Sequence, residues 1–382
     1  MEEVKRIPRE ICPVCGSRDR THMEIGAGEI FLPILPICVD TKREDDILFP
    51  IKLEVCNGCG LLYLSEVVDP KSLYQIFHSE AIGAVWGEEF EKFSKIIKEN
   101  LDGRKVLEVG AGTGKLITKI LGNGLDISVI DPSYSGPTEN VHVYKELFNE
   151  EFAKKHTQEF DAVISEHTIE HFLEFQDYFK SARDVLKKGG KLFTSVPNQE
   201  FSFLQGQTNQ INLEHTALCT NLHWIYLHAK WGFKIEKILF HRGHSIQLVS
   251  KMVSEIPEIT LNTKELSIEM SDRFSKLIKE KLEKVKRMAT PDKENWIFGA
   301  ANTTQWLFAL GLDGNIIKGI LDNSDLKRDK RLYGTNLFTK KPEEVVKRGR
   351  NNLRIFLNLG GYNKNVLKQI KNINSSVECV IL

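Results

Sequence analysis

A glycine-rich loop follows an apolar run near the middle of this 382-residue chain. The stretch from Val106 to Gly114 reads VLEVGAGTG, and a second apolar run, Ile127 to Ile130, ends at Asp131. Glycines at such a turn let the backbone approach a ligand closely, and an acid that ends the next strand can bind a ribose diol. The pattern therefore predicts a site for a nucleoside cofactor.

The spacing of the glycines indicates which nucleoside. A dinucleotide fold favours GxGxxG, whereas this loop is GxGxG with an acid, Glu108, closing the strand before it. The loop and Asp131 resemble motifs I and II of class I S-adenosylmethionine (SAM) methyltransferases. The resemblance implies that Gly110, Ala111 and Gly112 line the methionine arm, that Glu108 lies below the loop, and that Asp131 binds the ribose. The adenine then falls near Pro132 and the segment Lys145 to Phe148.

Apolar periodicity after the loop predicts alternating strands and helices. We expect strands over Phe160 to Ser165 and Lys191 to Val196, and between them a helix over Glu174 to Leu186 that Gly189-Gly190 ends. Such alternation indicates an α/β fold with a parallel sheet and right-handed crossovers. The stretch Val185 to Leu192 followed by Pro197-Asn198 is also similar to the corresponding segment of many SAM methyltransferases.

Two short cysteine pairs precede this region. Cys12 and Cys15 lie in CPVCG, and Cys56 and Cys59 lie in CNGCG. Four thiolates in duplicated CxxCG turns predict a closed, tetrahedral and structural zinc site. Cys38, in an apolar stretch between the pairs, is expected to pack rather than bind metal.

Composition argues against several classes of function. The chain has 52 basic and 52 acidic residues, so no net charge draws it to nucleic acid or to an anionic membrane. Residues 1–80 hold nine Lys and Arg against fourteen Asp and Glu, a poor composition for a zinc ribbon that binds phosphate. No apolar run approaches bilayer length and no signal peptide opens the chain, so we expect a cytoplasmic protein, monomeric or homodimeric.

The remaining residues predict a linker and a second α/β unit. Apolar residues at helical spacing predict one long helix within 257–290, with a coiled-coil dimer helix as the alternative. Beyond it, Trp296 to Ala301 and Ile316 to Leu321 read as strands around a helix at Thr304 to Leu310, and Leu353 to Leu359 reads as a further strand. The predicted organisation is a ribbon at 1–75, a methyltransferase core at 76–255, a linker helix at 256–290 and a Rossmann-like α/β domain at 291–382.

This order of parts resembles the sugar C-methyltransferase family, which acts on nucleotide-linked deoxysugars. The resemblance covers nearly the whole chain. It is carried by the two CxxCG turns, by Leu213-Glu214-His215-Thr216 and Gly243-His244-Ser245-Ile246, and in the last domain by Gly299-Ala300-Ala301, Gly311-Leu312-Asp313, Leu321 to Lys327 and Gly334-Thr335. It implies a nucleoside-diphosphate keto sugar as substrate, which loses a proton beside its carbonyl and passes the enolate to the methyl of SAM.

The resemblance also implies the catalytic residues. His215 would abstract the proton and Glu214 would orient it or hold the sugar, while His171, in Glu166 to His171 after the fourth strand, is a second candidate base. Glu166 and His167 are candidates for the cofactor side of this segment.

Two departures from the family leave other acceptors open. Asn212 stands where the family places a tyrosine, and Tyr74 to Glu80 matches its tyrosine- and serine-rich stretch only in part. Asn212 is expected to donate a hydrogen bond to an oxyanion. O-methylation of a sugar hydroxyl, with His215 or His171 as base, is the alternative, followed by a zinc-ribbon nucleic-acid methyltransferase. A protein that binds without catalysis is expected to have lost the glycine loop or Asp131.

The acceptor is expected at the carboxyl ends of the strands. Asn198, Asn212, Glu214, His215 and His244 are predicted to meet there in one pocket. In the last domain, Asn302 and Lys327 are predicted to reach the nucleotide.

Overall fold

The structure is a computed structural model of the chain. It describes residues 5–25, 29–69, 84–122, 124–256, 258–349 and 352–382. The segment Tyr74 to Glu80, compared above with the sugar methyltransferases, lies outside the described residues.

Short antiparallel strands build the N-terminal part. They are β1 (Arg6–Pro8), β2 (Arg20–Met23), β3 (Ile30–Pro33), β4 (Cys38–Val39), β5 (Leu48–Ile51), β6 (Leu53–Cys56), β7 (Leu62–Leu64) and β8 (Glu66–Val68). Strands β2, β6 and β7 are neighbours in one sheet, while β1 pairs with β8 and β3 pairs with β5. The two cysteine turns lie next to this sheet, one before β2 and one between β6 and β7.

A larger α/β layer follows. Its elements are α1 (Ala84–Asn100), β9 (Lys105–Val109), α2 (Ile117–Ile120), β10 (Asp126–Ile130), β11 (Val141–Tyr144), α3 (Glu150–Lys155), β12 (Phe160–Glu166), α4 (Phe175–Val185), β13 (Leu186–Pro197), α5 (Gln199–Leu204), β14 (Ala217–Leu218), α6 (Asn221–Lys230), β15 (Phe233–His241) and β16 (Ser245–Met252). The strands predicted before and after the glycine loop are confirmed as β9 and β10. The helix predicted over Glu174 to Leu186 is confirmed as α4, which ends at Val185.

Within the described residues the central sheet runs in the order β11-β10-β9-β12-β13-β16-β15. The strands from β11 to β13 are parallel, as predicted, but β16 and β15 are antiparallel additions at the edge. The prediction of a wholly parallel sheet was therefore wrong for this edge, because a short turn rather than a crossover helix joins β15 to β16. The order reverses between β10 and β12 around β9, and open α/β sheets bind ligands at the carboxyl ends of the strands beside such a switch.

The sequence predicted that Gly189 and Gly190 end a helix, and this prediction was wrong. They lie inside β13, where the pairing with β12 shifts register between Phe160↔Leu186 and Ala162↔Lys191. Gly189 has φ +75°, which a glycine adopts without strain, so the pair accommodates a β-bulge.

The predicted long helix is confirmed as α7 (Lys264–Met288). Its apolar face is buried within the chain: the ring of Phe274 stacks on Phe203 at a centroid distance of 4.5 Å and meets Trp306 edge-on at 6.0 Å. Burial of each such ring stabilises the fold by about 1.5–3 kcal/mol. The helix thus packs against both neighbouring layers, and the face proposed for a coiled coil is covered.

A second α/β layer ends the chain. It contains β17 (Glu294–Phe298), α8 (Asn302–Ala309), β18 (Gly319–Leu321), β19 (Arg331–Leu332), β20 (Thr339–Lys340), α9 (Pro342–Val346), β21 (Leu353–Leu357), α10 (Asn363–Ile373) and β22 (Glu378–Ile381). Parallel strands run in the order β20-β18-β17-β21-β22. The predicted strand from Ile316 begins only at Gly319, because the Asp313 side chain accepts from the Asn315 amide at 2.9 Å and caps a 3-10 turn over Gly314–Ile316.

Strand pairs join the three layers. Strand β14 pairs with β7 of the N-terminal part through Ala217↔Tyr63, and β19 of the last layer pairs with β4 through Leu332↔Cys38. Cys38 is packed in this second contact, with its Sγ 3.3 Å from Oγ1 of Thr339, as predicted. The described part of the chain contains no helix with the length and apolarity to cross a bilayer.

Candidate active site

The glycine loop after β9 has the backbone that a close ligand contact needs. Gly110 has φ +73°, and a Cβ there would lie 2.4 Å from the side chain of Thr168, so only glycine fits. Gly112 has φ +53°, but no described atom lies within 4 Å of a Cβ built on it. Gly110 thus packs against the segment after β12, while Gly112 faces open space.

Asp131 organises this loop. Its Oδ2 accepts from the Gly112 amide at 2.8 Å and its Oδ1 accepts from the Ser133 amide at 2.7 Å. Each carboxylate oxygen retains a further lone pair, which can accept from a ribose hydroxyl. The predicted ribose ligand therefore also fixes the turn that faces the cofactor.

Glu108 lies buried below the loop, as the sequence predicted. Burial, and secondarily the charge of Asp131, raise the pKa of Glu108 to about 8. No described residue donates a hydrogen bond to its Oε2. A buried carboxyl oxygen without a donor is costly, so this atom suits a cationic or donor group of a bound ligand.

The predicted adenine residues lie at the same edge. The Asp131 amide donates to the Tyr144 carbonyl at 3.0 Å, which brings the segment Lys145 to Phe148 alongside Pro132. Leu147 is 59% exposed there, a ready apolar surface for a base. The open space at Gly112, the lone pairs of Asp131 and the Oε2 of Glu108 together fit SAM.

His167, predicted as a cofactor residue, instead joins two carboxylates. Its Nε2 lies 3.2 Å from Oε1 of Glu89 and 3.0 Å from Oγ of Ser245, and its Nδ1 lies 3.3 Å from Oε1 of Glu170. Burial lowers the pKa of His167, but the charges of Glu89 and Glu170 outweigh it and raise the value to about 10. The His167 ring is therefore protonated at neutral pH and paired with both carboxylates. Burial, followed by the charge of Glu89, raises the pKa of its neighbour Glu166 well above the ordinary range.

Glu89 is a site residue that sequence reasoning missed. It lies on α1, fully buried, and its Oε2 is 2.8 Å from Nδ1 of His244 while its Oε1 accepts from Oγ of Ser195 at 2.7 Å. Burial raises the pKa of Glu89, but the charges and hydrogen bonds of His167 and His244 lower it strongly. The Trp86 ring meets both imidazoles edge-on, at 4.5 and 4.7 Å. In the sequence Glu89 stands three residues after Trp86, one turn along a helix, and nothing in that spacing indicates a site.

A second cluster lies across Glu170. The rings of His171 and His215 approach to 4.9 Å, and one ligand atom from each of Glu170, His171 and His215 lies within 4.8 Å of the other two. Glu170 is 1% exposed and receives no hydrogen bond from the described residues on either oxygen. Nδ1 of His167 lies 3.3 Å from Oε1 of Glu170, so His167 links this cluster to the cluster of Glu89 and His244.

Asn212 holds the turn that presents Glu214 and His215. Its Oδ1 accepts from the Glu214 amide at 2.8 Å and from the His215 amide at 2.7 Å. The oxygen is therefore a positioning group, which the sequence did not reveal. Burial, then the charge of Glu170, raises the pKa of Glu214 to about 7, and burial, then the charge of His167, lowers the pKa of His215 to about 4.

Asn198 and His244 were predicted to line one pocket with Glu214 and His215, but their side chains make other contacts. The Oδ1 of Asn198 accepts from the Phe201 amide at 3.1 Å and caps α5, and its own amide donates to the His244 carbonyl at 2.9 Å. The His244 ring belongs to the Glu89 cluster. Asn198 thus supports the wall of the pocket through its backbone and cap.

Both flanking layers hold the segment that carries Glu214 and His215. Nδ2 of Asn302 donates to the Thr208 and Ile211 carbonyls at 3.1 and 3.0 Å, and β14 after the segment pairs with β7. Asn302 is only 8% exposed and its Nδ2 is engaged in this contact, so its observed role is to hold the acceptor segment, and contact with a nucleotide stays a prediction. Nζ of Lys327, the other predicted nucleotide contact, donates to the Ala300 carbonyl at 2.8 Å, in the turn that follows β17.

The four predicted metal cysteines converge. The Sγ atoms of Cys12 and Cys59 are 3.6 Å apart and those of Cys15 and Cys56 are 3.4 Å apart, and all four lie within 4.8 Å of one another. Zinc–thiolate bonds of about 2.3 Å place sulfurs about 3.8 Å apart in a tetrahedron. The cluster is compatible with zinc. Thr263, which precedes α7, donates through Oγ1 to the Cys59 carbonyl at 3.0 Å and ties the helix to the cluster.

Comparison with known proteins agrees with this geometry for the middle of the chain. Residues 80–247 match a family model described as a methyltransferase domain. The mitochondrial ubiquinone biosynthesis O-methyltransferase of Bos taurus is 30% identical over 167 residues, covering 40% of this chain and 44% of that protein. The Acinetobacter baumannii (strain AYE) ubiquinone biosynthesis O-methyltransferase is 27% identical over 150 residues, covering 33% and 63%. These alignments span less than two thirds of either relative.

Solved structures of methyltransferases are also similar to part of the chain. A SAM-dependent methyltransferase from Archaeoglobus fulgidus has 14% identity and a TM-score of 0.38, covering 44% of this chain and 95% of that one. The 1,6-didemethyltoxoflavin-N1-methyltransferase of Burkholderia thailandensis, solved with S-adenosylhomocysteine, has 15% identity and a TM-score of 0.36, covering 46% and 94%. The match of residues 80–247 to the family model identifies the middle of the chain as a SAM-dependent methyltransferase domain.

Proposed function

We propose that this chain, which contains a class I SAM methyltransferase domain, transfers the methyl group to an oxygen of a nucleotide-linked sugar. The observation that carries the proposal is the position of Glu214 and His215. Both flanking layers hold their segment at the carboxyl edge of the central sheet, beside His171 and on the side where the glycine loop opens. Contacts from all three layers therefore support an acid and an imidazole at the edge where we propose that the acceptor meets the cofactor.

The chemistry needs a nucleophilic oxygen in line with the sulfonium. The Glu214–His215 pair takes the proton of the acceptor hydroxyl, the oxygen forms a bond to the methyl carbon, and the carbon–sulfur bond breaks to leave S-adenosylhomocysteine. Proton removal by a positioned side chain contributes about 10²–10⁴-fold to the rate. Glu214 and His215 are half-buried, so an acceptor can reach them and, once bound, would cover them and keep water from competing for the methyl group.

Two considerations favour oxygen over carbon. The curated relatives of the domain are O-methyltransferases by name. In addition, Oδ1 of Asn212 is engaged by two backbone amides, at the position where carbon transfer in the sugar family places a phenol. Carbon methylation of a keto sugar through an enolate is the second candidate, because the order of ribbon, core, long helix and last α/β layer resembles the family that performs it.

The acceptor class rests on the same order of parts. The last layer repeats the cofactor loop in outline: Asp322 after β18 accepts from the Ala300 amide at 2.9 Å and from the Ser324 amide at 2.9 Å, as Asp131 does after β10. A second layer of this type beside the acceptor segment suits a substrate with a nucleotide handle. Zinc at the four cysteines would hold the N-terminal strands, and thereby β7 and β14, in place.

Methyl transfer from labelled SAM to a panel of nucleoside-diphosphate sugars, with and without a ketone, tests the proposal in deuterium oxide. We expect sugars without a ketone to gain an O-methyl group with no exchange of carbon-bound hydrogen. Methylation restricted to keto sugars, with loss of a carbon-bound proton, would assign carbon transfer instead. Failure with every sugar while SAM binds would overturn the acceptor class.

His215→Ala supplies the residue-level test. We expect turnover to fall by about 10²–10⁴-fold while SAM affinity stays unchanged, since His215 faces the acceptor. His142→Ala, a substitution of an exposed histidine on β11, is the control and should retain full turnover. Normal turnover in His215→Ala would remove the residue from the mechanism.

A further inference from the structure

Glu170, His171 and His215 come together from two distant segments. Glu170 and His171 lie in the 3-10 turn Ile169–His171 after β12, and His215 lies in the turn that Asn212 caps. One ligand atom from each lies within 4.8 Å of the other two. Metal–ligand bonds of about 2.1 Å place the donors of a tetrahedral site about 3.4 Å apart. Small ring and carboxylate rotations thus bring all three onto one ion.

The state of Glu170 is a second, independent observation. The side chain is 1% exposed, and no described residue donates a hydrogen bond to either carboxylate oxygen. Oε1 has His167 at 3.3 Å as its ionic neighbour, while Oε2 has no such contact in the described part of the chain. A buried carboxylate is stable only when it is paired or bound to a metal. A carboxylate in this state can bind a cation together with His171 and His215, which each have a ligand atom within 4.8 Å of one of its oxygens.

We propose that Glu170, His171 and His215 bind a divalent first-row transition metal. Two imidazoles and one carboxylate favour such an ion over magnesium or calcium, which prefer oxygen ligands alone. Three protein ligands leave positions open for a substrate, as in catalytic metal sites and unlike the closed set of four cysteines. Nδ1 of His167 lies beside Oε1 of Glu170 and orients the carboxylate from outside the site.

The neighbouring cluster of Glu89, His167 and His244 is a weaker metal site. The Glu89 carboxylate already has Oγ of Ser195 at 2.7 Å, Nδ1 of His244 at 2.8 Å and Nε2 of His167 at 3.2 Å. An ion there would have to displace these contacts, whereas an ion at Glu170 would satisfy an oxygen that lacks one. His167 links the two clusters, but of the two carboxylates only Glu170 is buried without a hydrogen bond from the described residues on either oxygen.

The ion deepens the proposed function and rests on it. A cation at this position binds the acceptor hydroxyl and stabilises its deprotonated oxygen, which then attacks the methyl carbon of SAM. His215 is then a ligand, and Glu214 is the neighbouring group that receives the proton. The methyl balance is unchanged, and no oxidant or reductant is needed.

Binding of Mn²⁺ tests the site, because this ion competes poorly with zinc for thiolates. Protein of residues 1–382 that carries one zinc per chain, enough for the four cysteines alone, is titrated with MnCl₂, and bound Mn²⁺ is followed by electron paramagnetic resonance. We expect a single tight Mn²⁺ in the wild-type protein and binding weaker by roughly 100-fold or more in Glu170→Gln. Glu214→Gln makes the same change at the residue before His215, which is not a proposed ligand. It is the matched control and should keep the Mn²⁺ affinity within a few-fold.

Each other result is decisive. No Mn²⁺ in the wild-type protein, or equal affinity in Glu170→Gln, overturns the proposal, and loss of binding only in Glu89→Gln moves the ion to the other cluster. His215→Asn is the second ligand variant, and urea unfolding shows whether either variant is folded. If metal-stripped protein transfers methyl groups without added ions, the ion has no catalytic role and the proposed function stands. If Mn²⁺ binds but no sugar is methylated, the metal site stands and the proposed function fails.

Discussion

Asn302 donates its side-chain amide to the main-chain carbonyl of Ile211 at 3.0 Å. One residue at the start of α8 thus fixes the segment that leads to Glu214 and His215, although some ninety residues separate them in the sequence. The same nitrogen also donates to the main-chain carbonyl of Thr208 at 3.1 Å, so the segment is held at two points. The last α/β layer therefore acts on the candidate site by holding its backbone.

Asn302→Ala should impair methyl transfer more than cofactor binding. The substitution leaves two buried carbonyls without this donor, at a cost of about 1–3 kcal/mol, and lets the acceptor segment shift. A misplacement of about 1 Å lowers turnover by roughly 100-fold. Kinetics of methyl transfer and calorimetry with SAM measure the two effects. Asn323→Ala, which removes an exposed Asn–Gln contact in the same layer, is the control and should behave as wild type.

Asp131→Asn should weaken SAM binding. An asparagine presents one acceptor and one donor group, so one of the Gly112 and Ser133 amides loses its acceptor, at about 1–3 kcal/mol or roughly tenfold to a hundredfold in affinity. Asp322→Asn makes the same change at the matching turn of the last layer and should leave SAM affinity unchanged. Equal affinities for SAM in Asp131→Asn and the wild type would show that the ligand lies elsewhere.

Cys56→Ser should remove thiolate-bound zinc and destabilise the N-terminal strands. Loss of one of four ligands opens the site, and structural zinc contributes directly to folding. Elemental analysis of the purified protein should show one zinc fewer per chain than in the wild type, with a lower midpoint of urea unfolding. Cys38→Ser alters a thiol that contacts Thr339 instead, and its zinc content should equal that of the wild type.

Acid should destabilise the protein partly through His228. Burial lowers the pKa of this histidine from 6.5 to about 3, with its ring nitrogens 3.0 Å from Oγ of Ser250 and 3.3 Å from Oγ1 of Thr194. The fold therefore favours the neutral ring: its contribution is complete above pH 6.5 and is lost as the pH falls from 6.5 towards 3. At pH 5 the loss is about 2 kcal/mol.

His228→Gln separates this contribution from general acid unfolding. Its free energy of unfolding should fall by about 2 kcal/mol less than that of the wild type between pH 7.5 and pH 5. Urea unfolding at both pH values measures the difference. The exposed His142 replaced by Gln should retain the wild-type slope, and an unaltered slope in His228→Gln would mean that the buried ring is charged in the fold.

Much of the cofactor half was predictable from residues close together in sequence. The glycine loop, Glu108 and Asp131 belong to one β9–loop–β10 unit, whose geometry follows from strand ends and from glycine conformations. The paired cysteine turns were equally local, because each CxxCG turn directs two sulfurs to one side. Short-range stereochemistry fixes such features before the rest of the chain folds.

The acceptor half required the tertiary structure. Glu89 could not be found from the sequence, since it joins His167 and His244 only after α1 packs on the carboxyl edge of the sheet. The sequence led us to predict that Asn302 reaches a nucleotide, and only packing revealed that its side-chain amide donates to the carbonyl of Ile211. The antiparallel edge of β15 and β16 likewise depended on which neighbour each strand found.

The sequence by itself determined the fold class of the core, the cofactor loop and the four-cysteine cluster, because each depends on a few neighbouring residues. Only the tertiary structure decided that ligand atoms of Glu170, His171 and His215 lie within 4.8 Å of one another and that residues of three layers support the segments that carry them. Contacts between segments far apart in the chain depend on how whole layers pack, and that packing is set by many small apolar contacts that no local motif records.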